Sequence, residues 1–385
     1  MKKSQRQLIE GYQAIEKELE ICRKYGIDYS SRRGQWMAAV ERLHPRRLKL
    51  KVAAIISETA DASTLRLVAA EGYLPPFQAG QYINLLVDID GIRTGRPYSI
   101  SSPPSQTAYY DLTVRRVPNG FVSDYLLDRV KPGDLLDSTG PAGHLYYNPL
   151  FHGRDLVFLA GGSGITPFAS MIRDVTDRCL NRRIHLIYGC RTPDEAIFNA
   201  EFLNRAKIFD NFTYDLVISD PNDNCQGLSG LLDAELIKAR VGDVLSKTFY
   251  LCGPQAMYEF CVPELNKLNI LRRRIRQEIF GTPARITQEA GWPQEVSEEA
   301  VFSVKLSSGR EIPARACEPL LISLERAGIV VENCCRSGEC SLCRVKMLSG
   351  RVYQTENTLL RKSDKNAGYI HSCAAYPLSD LEILL

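Results

Sequence analysis

Between its third quarter and its end the chain reads Cys335-Arg336-Ser337-Gly338-Glu339-Cys340-Ser341-Leu342-Cys343, and a further cysteine, Cys373, stands well downstream. A fold that must bring these thiols to one place has little freedom around them. Three thiols at C-x4-C-x2-C with a distant fourth have the ligand spacing of a [2Fe–2S] cluster. Soft thiolates match iron–sulfur chemistry. The small residues Ser337, Gly338 and Ser341 let the loop wrap closely, so that backbone N–H groups reach the cluster sulfurs. A disulfide framework and a zinc site are the alternatives. Zinc is better served by two C-x2-C pairs, and Cys373 has no partner two residues away. The spacing therefore predicts Cys335, Cys340, Cys343 and Cys373 as metal ligands. Cys334 precedes the first of them, but using it instead breaks the C-x4-C interval. A one-electron carrier near the end of a chain needs an electron source upstream.

At 385 residues the chain has room for two or three domains. It holds 12 cysteines; those outside the ligand set (Cys22, Cys179, Cys190, Cys225, Cys252, Cys261, Cys317 and Cys334) show no disulfide-like pattern and read as reduced thiols. No apolar run approaches a membrane span, and the start, Met1-Lys2-Lys3-Ser4-Gln5, lacks the apolar core of a signal peptide. The expected location is the cytoplasm. A net charge of +3 argues against a nucleic-acid partner.

Residues 1–47 form a helical extension. Leu8, Tyr12, Ile15, Leu19 and Cys22 recur at helical spacing, Glu10, Glu16, Lys17, Glu18 and Glu20 lie opposite, and Gly26 is a stop. Such a helix docks on its own protein or pairs with a second copy or a partner. From 48 to 150 the texture becomes β-rich. Strands are predicted at Leu48–Ile56, Thr64–Val68, Gln81–Val87, Tyr98–Ser101 and Tyr110–Arg116, separated by Gly- and Pro-bearing turns. That pattern suggests a small antiparallel β-barrel.

Within the barrel stands Arg96-Pro97-Tyr98-Ser99. An aromatic face such as Tyr98 stacks on a flat ring system, a hydroxyl such as Ser99 bonds a ring nitrogen, and a guanidinium such as Arg96 holds phosphate bidentately. Phe77-Gln78-Ala79-Gly80-Gln81 precedes it and Gly120-Phe121-Val122-Ser123 follows, opening a helix expected over Ser123–Asp128. From 151 to 275 strand and helix alternate. Leu156–Ala160 runs into Gly161-Gly162-Ser163-Gly164-Ile165-Thr166-Pro167 and a helix through Asp177; Ile184–Tyr188 and Tyr214–Ser219 give further strands. Phe249–Cys252 runs into Gly253-Pro254-Gln255-Ala256-Met257. Alternation of this kind implies a parallel, doubly wound sheet with ligands at the strands' carboxyl ends. Residues 276–299, polar and carrying Pro283, Gly291 and Pro293, are expected as a linker, and 300–385 hold the cluster loop in an α+β context.

These motifs, in this order, resemble the ferredoxin–NADP reductase superfamily, in the flavin–nicotinamide–ferredoxin arrangement of the reductase components of multicomponent oxygenases. The resemblance covers about 48–385 and leaves the N-terminal extension outside. It implies three parts: an antiparallel FAD-binding β-barrel, an α/β NAD(P)-binding domain, and a C-terminal α+β plant-type ferredoxin domain. In relatives the R-x-Y-S residues Arg96, Tyr98 and Ser99 meet the flavin, and the G-x-x-S turn (Gly120, Val122, Ser123) holds its pyrophosphate, which favours FAD over FMN. Gly162, Gly164, Thr166 and Pro167 of G-G-x-G-x-x-P, with Gly253, Pro254 and Met257 of C-G-P-x-x-M, bind the nicotinamide nucleotide. Cys252 sits beside the nicotinamide. With Ser99 it is the expected catalytic pair. Glu278-Ile279-Phe280-Gly281 resembles the segment lying near the flavin in relatives. One departure is Ser341, where the family commonly has glycine.

The nucleotide is less settled by the sequence. Arg191 is able to pair with a 2′-phosphate, yet Gly189-Cys190-Arg191-Thr192-Pro193-Asp194 resembles NADH-using members, and Asp220 stands where NADPH users offer a basic residue. NADH is favoured, with NADPH left open. The implied function is passage of electrons from NADH through FAD and the cluster to a partner redox protein, a terminal oxygenase, reductase or demethylase component. The alternatives are a redox sensor, an electron-transfer subunit of a fixed complex, and reverse flow making NADH.

Overall fold

The computed structural model describes residues 11–26, 33–43, 45–221, 227–279, 281–283, 285–355 and 358–385. The chain divides into two units, 1–46 and 47–385. In the first, helix α1 (Tyr12–Lys24) is followed by α2 (Arg33–Leu43). No residue of α1 is fully buried; on the predicted apolar side Ile15 and Leu19 are exposed and Tyr12 and Cys22 half-buried. Leu8 and Glu10 lie outside the described residues. Helix α2, with exposed Trp36, Met37 and Val40, is an element the periodicity reading had not picked out.

The second unit begins with an antiparallel sheet of β1 (Leu48–Thr59), β2 (Ala62–Ala69), β3 (Tyr82–Ile89), β4 (Ile92–Ser99), β5 (Tyr110–Arg115) and β6 (Leu135–Ser138), in the order β4-β3-β6-β1-β2-β5. A bridge between Ile100 and Leu112 returns the end of β4 to β5 and closes the barrel. Its core is Leu50, Val52, Leu65, Leu67, Ile83, Leu85, Leu112 and Val114, the inward set of alternating strands. Strand β4 starts at Ile92, earlier than Tyr98. Asp90 (φ 53°) and Gly91 (φ 82°) both take the left-handed conformation of a two-residue hairpin, so β3 and β4 pair from Ile89↔Ile92 to Tyr82↔Ser99. The helix expected after Gly120 begins earlier too: α3 (Phe121–Asp124) passes into a π-turn over Tyr125–Arg129.

A parallel sheet follows, with β7 (Asp155–Gly161), β8 (Arg183–Cys190), β9 (Phe212–Ile218), β10 (Leu228–Ser229), β11 (Thr248–Cys252) and β12 (Ile275–Gln277) in the order β10-β9-β8-β7-β11-β12. Helices α4 (Ile165–Asp177), α5 (Asn199–Ile208), α6 (Ala234–Val241) and α7 (Gln255–Lys267) cover it. Alternate residues of β7 serve opposite faces: Phe158 stacks on Phe168 of α4 at 4.6 Å, whereas Val157 and Leu159 join Ile237 of α6 and Leu265 of α7. Burial on both faces is why β7 reads as a continuous apolar run. Each such side chain contributes about 1.5–3 kcal/mol. Strand order reverses between β7 and β11, and that switch point opens a crevice at their carboxyl ends.

The last part is a mixed sheet of β13 (Val301–Leu306), β14 (Glu311–Arg315), β15 (Arg344–Ser349), β17 (Tyr369–His371) and β19 (Leu381–Leu384), plus a ribbon of β16 (Val352–Gln354) with β18 (Ala375–Pro377). Helix α8 (Leu320–Arg326) packs on the sheet through Leu320 and Leu324. The stretch from 276 to 299 differs from the expected linker. Its first residues belong to β12, paired with β11, and Ile286 and Trp292 are buried with Ala316 and Tyr376. Trp292 packs edge-on against Tyr353 (5.4 Å), so enough apolar surface is hidden to fix a segment that is polar on average.

Candidate active site

The glycine turn after β7 is shaped by what lies against it. A Cβ on Gly164 would stand 2.2 Å from the carbonyl oxygen of Cys252, and one on Gly161 or Gly253 would stand 2.5 Å from the Met257 sulfur. The two nucleotide motifs therefore interlock: backbone of the first meets the end of β11, and Met257 fills the space under both. Gly162 (φ 51°) takes a conformation side chains rarely adopt. Tyr258 completes the corner, its hydroxyl accepting from Gly253 N (3.2 Å) and donating to the Glu278 carbonyl (2.5 Å). Thr166 donates to the Ser163 carbonyl at 3.0 Å, tightening the turn.

One cavity of about 670 Å³ gathers the motifs. Its wall includes Arg96, Tyr98 and Ser99 of β4, then Gly120, Val122 and Ser123, then Gly162, Gly164 and Thr166, then Cys252, Gly253 and Pro254. Gly281 and Thr282 also line it; Phe280, between them and Glu278, lies outside the described residues. The far wall comes from the cluster-bearing part: Pro319, Leu321, Ile322, Arg336 and Cys373. Pro167, Arg191 and Met257 do not line it. Pro167 is buried in the first turn of α4, and Arg191 points to Glu195 (2.8 Å).

Burial sets the electrostatics. It pushes the Tyr98 phenol and the Cys252 thiol up, so both stay protonated at neutral pH. The Arg96 guanidinium is pushed down to about 10, by burial first and by nearby Arg336 second. Its Nη1 donates to Thr94 Oγ1 (2.9 Å) and the Gly95 carbonyl (2.8 Å). Ser123 Oγ closes its own turn, accepting from Val117 N (3.1 Å) and donating to the Gly120 carbonyl (3.3 Å). Glu278, buried nearby, is raised to about 8 by desolvation and by Glu339.

In the cluster loop Cys335, Cys343 and Cys373 are buried and Cys340 is exposed. Cys335 Sγ accepts from Ser337 N (3.5 Å) and Cys340 N (3.4 Å), the backbone reach expected of small residues. Thiols of Cys340 and Cys373 also donate to the Cys335 sulfur, holding it well below the usual thiol range, and Cys373 does the same for Cys343. These links are pairwise, joining Cys335 to Cys340 and Cys373, and Cys343 to Cys373; among the described residues no group of three or more His, Cys, Asp or Glu side chains is arranged to hold a metal ion. Cys334 lies with its sulfur 4.0 Å from Thr139 Oγ1 and packs with Tyr82, in a cluster that Cys335 also joins. Ser341 has φ 61°, which explains a family preference for glycine there.

Sequence reasoning missed Thr94, Arg115, Glu325 and Arg336. Arg115 reaches across the cavity edge, with Nε on Asp61 (2.7 Å) and Nη2 on Glu195 (2.8 Å). Arg336 directly follows a ligand, which was the one signal available for it.

Fold and site together define an electron-transfer flavoprotein with its own iron–sulfur part. Family models match as an oxidoreductase FAD-binding domain over 47–147, an oxidoreductase NAD-binding domain over 158–262 and a 2Fe-2S iron-sulfur cluster binding domain over 304–378. The NADH oxidoreductase HCR of Escherichia coli K12 is 31% identical over 334 residues, covering 86% of this chain and 96% of that one. The glycine betaine monooxygenase reductase subunit of Chromohalobacter salexigens is 29% identical over 343 residues, covering 86% and 93%. Among solved structures, phthalate dioxygenase reductase matches with a TM-score of 0.65 at 24% identity, covering 88% of this chain and 97% of that one. The chain belongs to the family of flavin–NAD–[2Fe–2S] ferredoxin reductases. It is an oxidoreductase with FAD, a nicotinamide nucleotide and a [2Fe–2S] cluster as its cofactors.

Proposed function

We propose that the protein oxidises NADH at the shared cavity and delivers electrons to a separate redox protein that docks over the cluster loop. The observation that carries this is the single cavity whose wall includes both nucleotide motifs, the β4 flavin motif and Cys373. FAD held there would supply the exchange between two-electron hydride chemistry and one-electron transfer. Tyr98 supplies an aromatic face, Ser99 a hydroxyl for the ring edge, and Arg96 a cation for phosphate. Gly120, Val122 and Ser123 shape the turn that receives the rest of the flavin nucleotide. Gly162, Gly164, Thr166 and Pro167 build the helix start that receives the nicotinamide dinucleotide; Gly253, Pro254 and Met257 build the opposing turn. Cys252 presents its neutral thiol where the nicotinamide ring is held.

The cluster ligands are Cys335, Cys340, Cys343 and Cys373. Cys373, in the cavity wall, is the entry side, and the exposed Cys340 is the exit side. NADH is favoured because Glu195 neutralises Arg191 and Asp220 adds negative charge where a 2′-phosphate would lie. The division into 1–47, 48–150, 151–275, 276–299 and 300–385 is kept, with 276–299 as a packed connector. Among the described residues no helix is long and apolar enough to cross a membrane, and a cytoplasmic location accords with so many reduced thiols. The exposed apolar side of α1 supports pairing with a second copy, testable by sedimentation of the whole chain against residues 47–385.

Anaerobic stopped-flow mixing with NADH, and separately NADPH, tests the main reading. Rapid flavin bleaching by NADH, followed by the electron paramagnetic resonance signal of a reduced cluster, is the outcome required. Reduction by dithionite but by neither nucleotide overturns it.

A further inference from the structure

At the cavity wall two guanidiniums and one carboxylate meet on a single hydroxyl. Arg336 is buried, its side chain 8% exposed, and its Nη2 bonds Thr94 Oγ1 (3.0 Å) and the carboxylate of Glu325, itself 7% exposed. Thr94 Oγ1 donates to Glu325 Oε2 (3.0 Å) and accepts also from Arg96 Nη1 (2.9 Å). One hydroxyl thus ties together two guanidiniums and one carboxylate, using its donor and both acceptor positions. Among the described residues Glu325 is the one carboxylate paired with Arg336, and Arg96 has no carboxylate partner. Moreover, Arg336 Nε is buried without a hydrogen-bond partner, on a side chain that lines the cavity. A planar donor with one free N–H beside a second guanidinium is the arrangement that holds phosphate.

These residues come from different parts of the chain. Thr94 and Arg96 belong to β4 of the barrel, Glu325 to α8, and Arg336 to the cluster loop. We propose that Arg336 completes the phosphate site of the bound flavin nucleotide, so that the site is shared between the barrel and the cluster-bearing part. Binding of the phosphate then gives the unpartnered Arg336 Nε an acceptor and fastens the cluster loop to strand β4. By linkage, flavin affinity and docking of the cluster loop strengthen one another. Arg336 adopts φ 55°, a conformation disfavoured for a branched-out side chain and one the loop keeps while holding this residue in place. The inference rests on the flavin reading above and adds a role to a residue outside the flavin motifs.

The test uses the full chain stripped of flavin, titrated with FAD, FMN and riboflavin and followed by quenching of flavin fluorescence. Arg336→Gln is expected to weaken FAD and FMN binding tenfold or more while leaving riboflavin, which has no phosphate, within twofold of the parent. Arg336→Lys, which keeps the charge without the planar fork, is expected to recover only part of the loss. Equal weakening for all three flavins, or no weakening for any, overturns the inference and leaves the flavin reading intact. Failure of the parent protein to bind any of the three instead sinks the flavin reading itself. A second measurement needs no substitution: hydrogen exchange over residues 319–337 should slow more with FAD or FMN than with riboflavin at equal occupancy. Identical protection by all three overturns the shared site even if the variants fail to fold.

Discussion

Arg115 and Glu195 meet at 2.8 Å, Nη2 to Oε2, across the seam between the barrel and the parallel sheet. The same guanidinium holds Asp61 through Nε at 2.7 Å. Both partners are mostly buried (side chains 23% and 18% exposed), so the pair acts as a strap rather than a solvated surface contact.

Removing the strap should loosen the seam. Arg115→Ala is expected to cost about 1–2 kcal/mol in chemical unfolding, because it removes the shared partner of two carboxylates while Glu195 keeps Arg191 and Asp61 keeps Thr59. The pH dependence has a definite sign. Burial raises Glu195, but its bonds to Arg115 and Arg191 outweigh burial and hold it below its usual 4.5. A lowered carboxylate contributes stability above its unfolded value and loses it as pH falls through the folded one. Melting temperature should therefore drop on acidification below about pH 4.5, and Glu195→Gln should flatten that limb. An unchanged limb in Glu195→Gln refutes this assignment.

Serine in place of Cys335, Cys340, Cys343 or Cys373 should abolish the visible absorption and bound iron of the cluster. Cys334→Ser should keep both, since the Cys334 sulfur lies against Thr139 Oγ1 (4.0 Å). Iron and sulfide content of the purified variants decides it. Loss of iron in Cys334→Ser with retention in Cys335→Ser would reverse the assignment.

Ser341→Gly should stabilise the cluster loop. At φ 61° serine bears a strain that glycine does not, worth roughly 0.5–1 kcal/mol after allowing for glycine's freer unfolded state. The rate of cluster loss in mild denaturant is the readout, and a faster loss than in the parent contradicts the expectation.

Asp220→Arg should shift nucleotide preference. The backbone of Asp220 is pinned by its N–H to the Arg191 carbonyl (2.9 Å), leaving an exposed side chain to choose the sign of local charge. The ratio of kcat/KM for NADPH to that for NADH should rise about tenfold or more, corresponding to about 1.4 kcal/mol. A ratio that does not move places the ribose elsewhere.

Legibility in the sequence followed the range of the interactions. The cysteine loop, the glycine turn and Arg96-Pro97-Tyr98-Ser99 are local patterns whose chemistry is visible in a few residues. The β-rich texture and the strand–helix alternation were visible as well, because each period reflects one buried face. The start of β4 was misjudged because Gly95 and Pro97 look like breakers, whereas the left-handed pair Asp90 and Gly91 makes the real turn. The connector from 276 to 299 looked like a tether because its average is polar, while two side chains, Ile286 and Trp292, decide its placement. The bridge of Thr94, Glu325 and Arg336 had no local signature. It joins residues far apart in sequence through a single hydroxyl, and only three-dimensional closure brings Arg96 beside the Glu325–Arg336 pair.

The position of Cys373 in the cavity wall and of Cys340 at the surface carries a kinetic consequence. With the cluster loop seated against the cavity, the step between flavin and cluster is unimolecular and indifferent to dilution, whereas loading by the nucleotide and delivery to a separate acceptor each require an encounter. On the proposed reading the molecule behaves as a small capacitor, joined by a fixed internal link to two terminals whose rates are set by their surroundings.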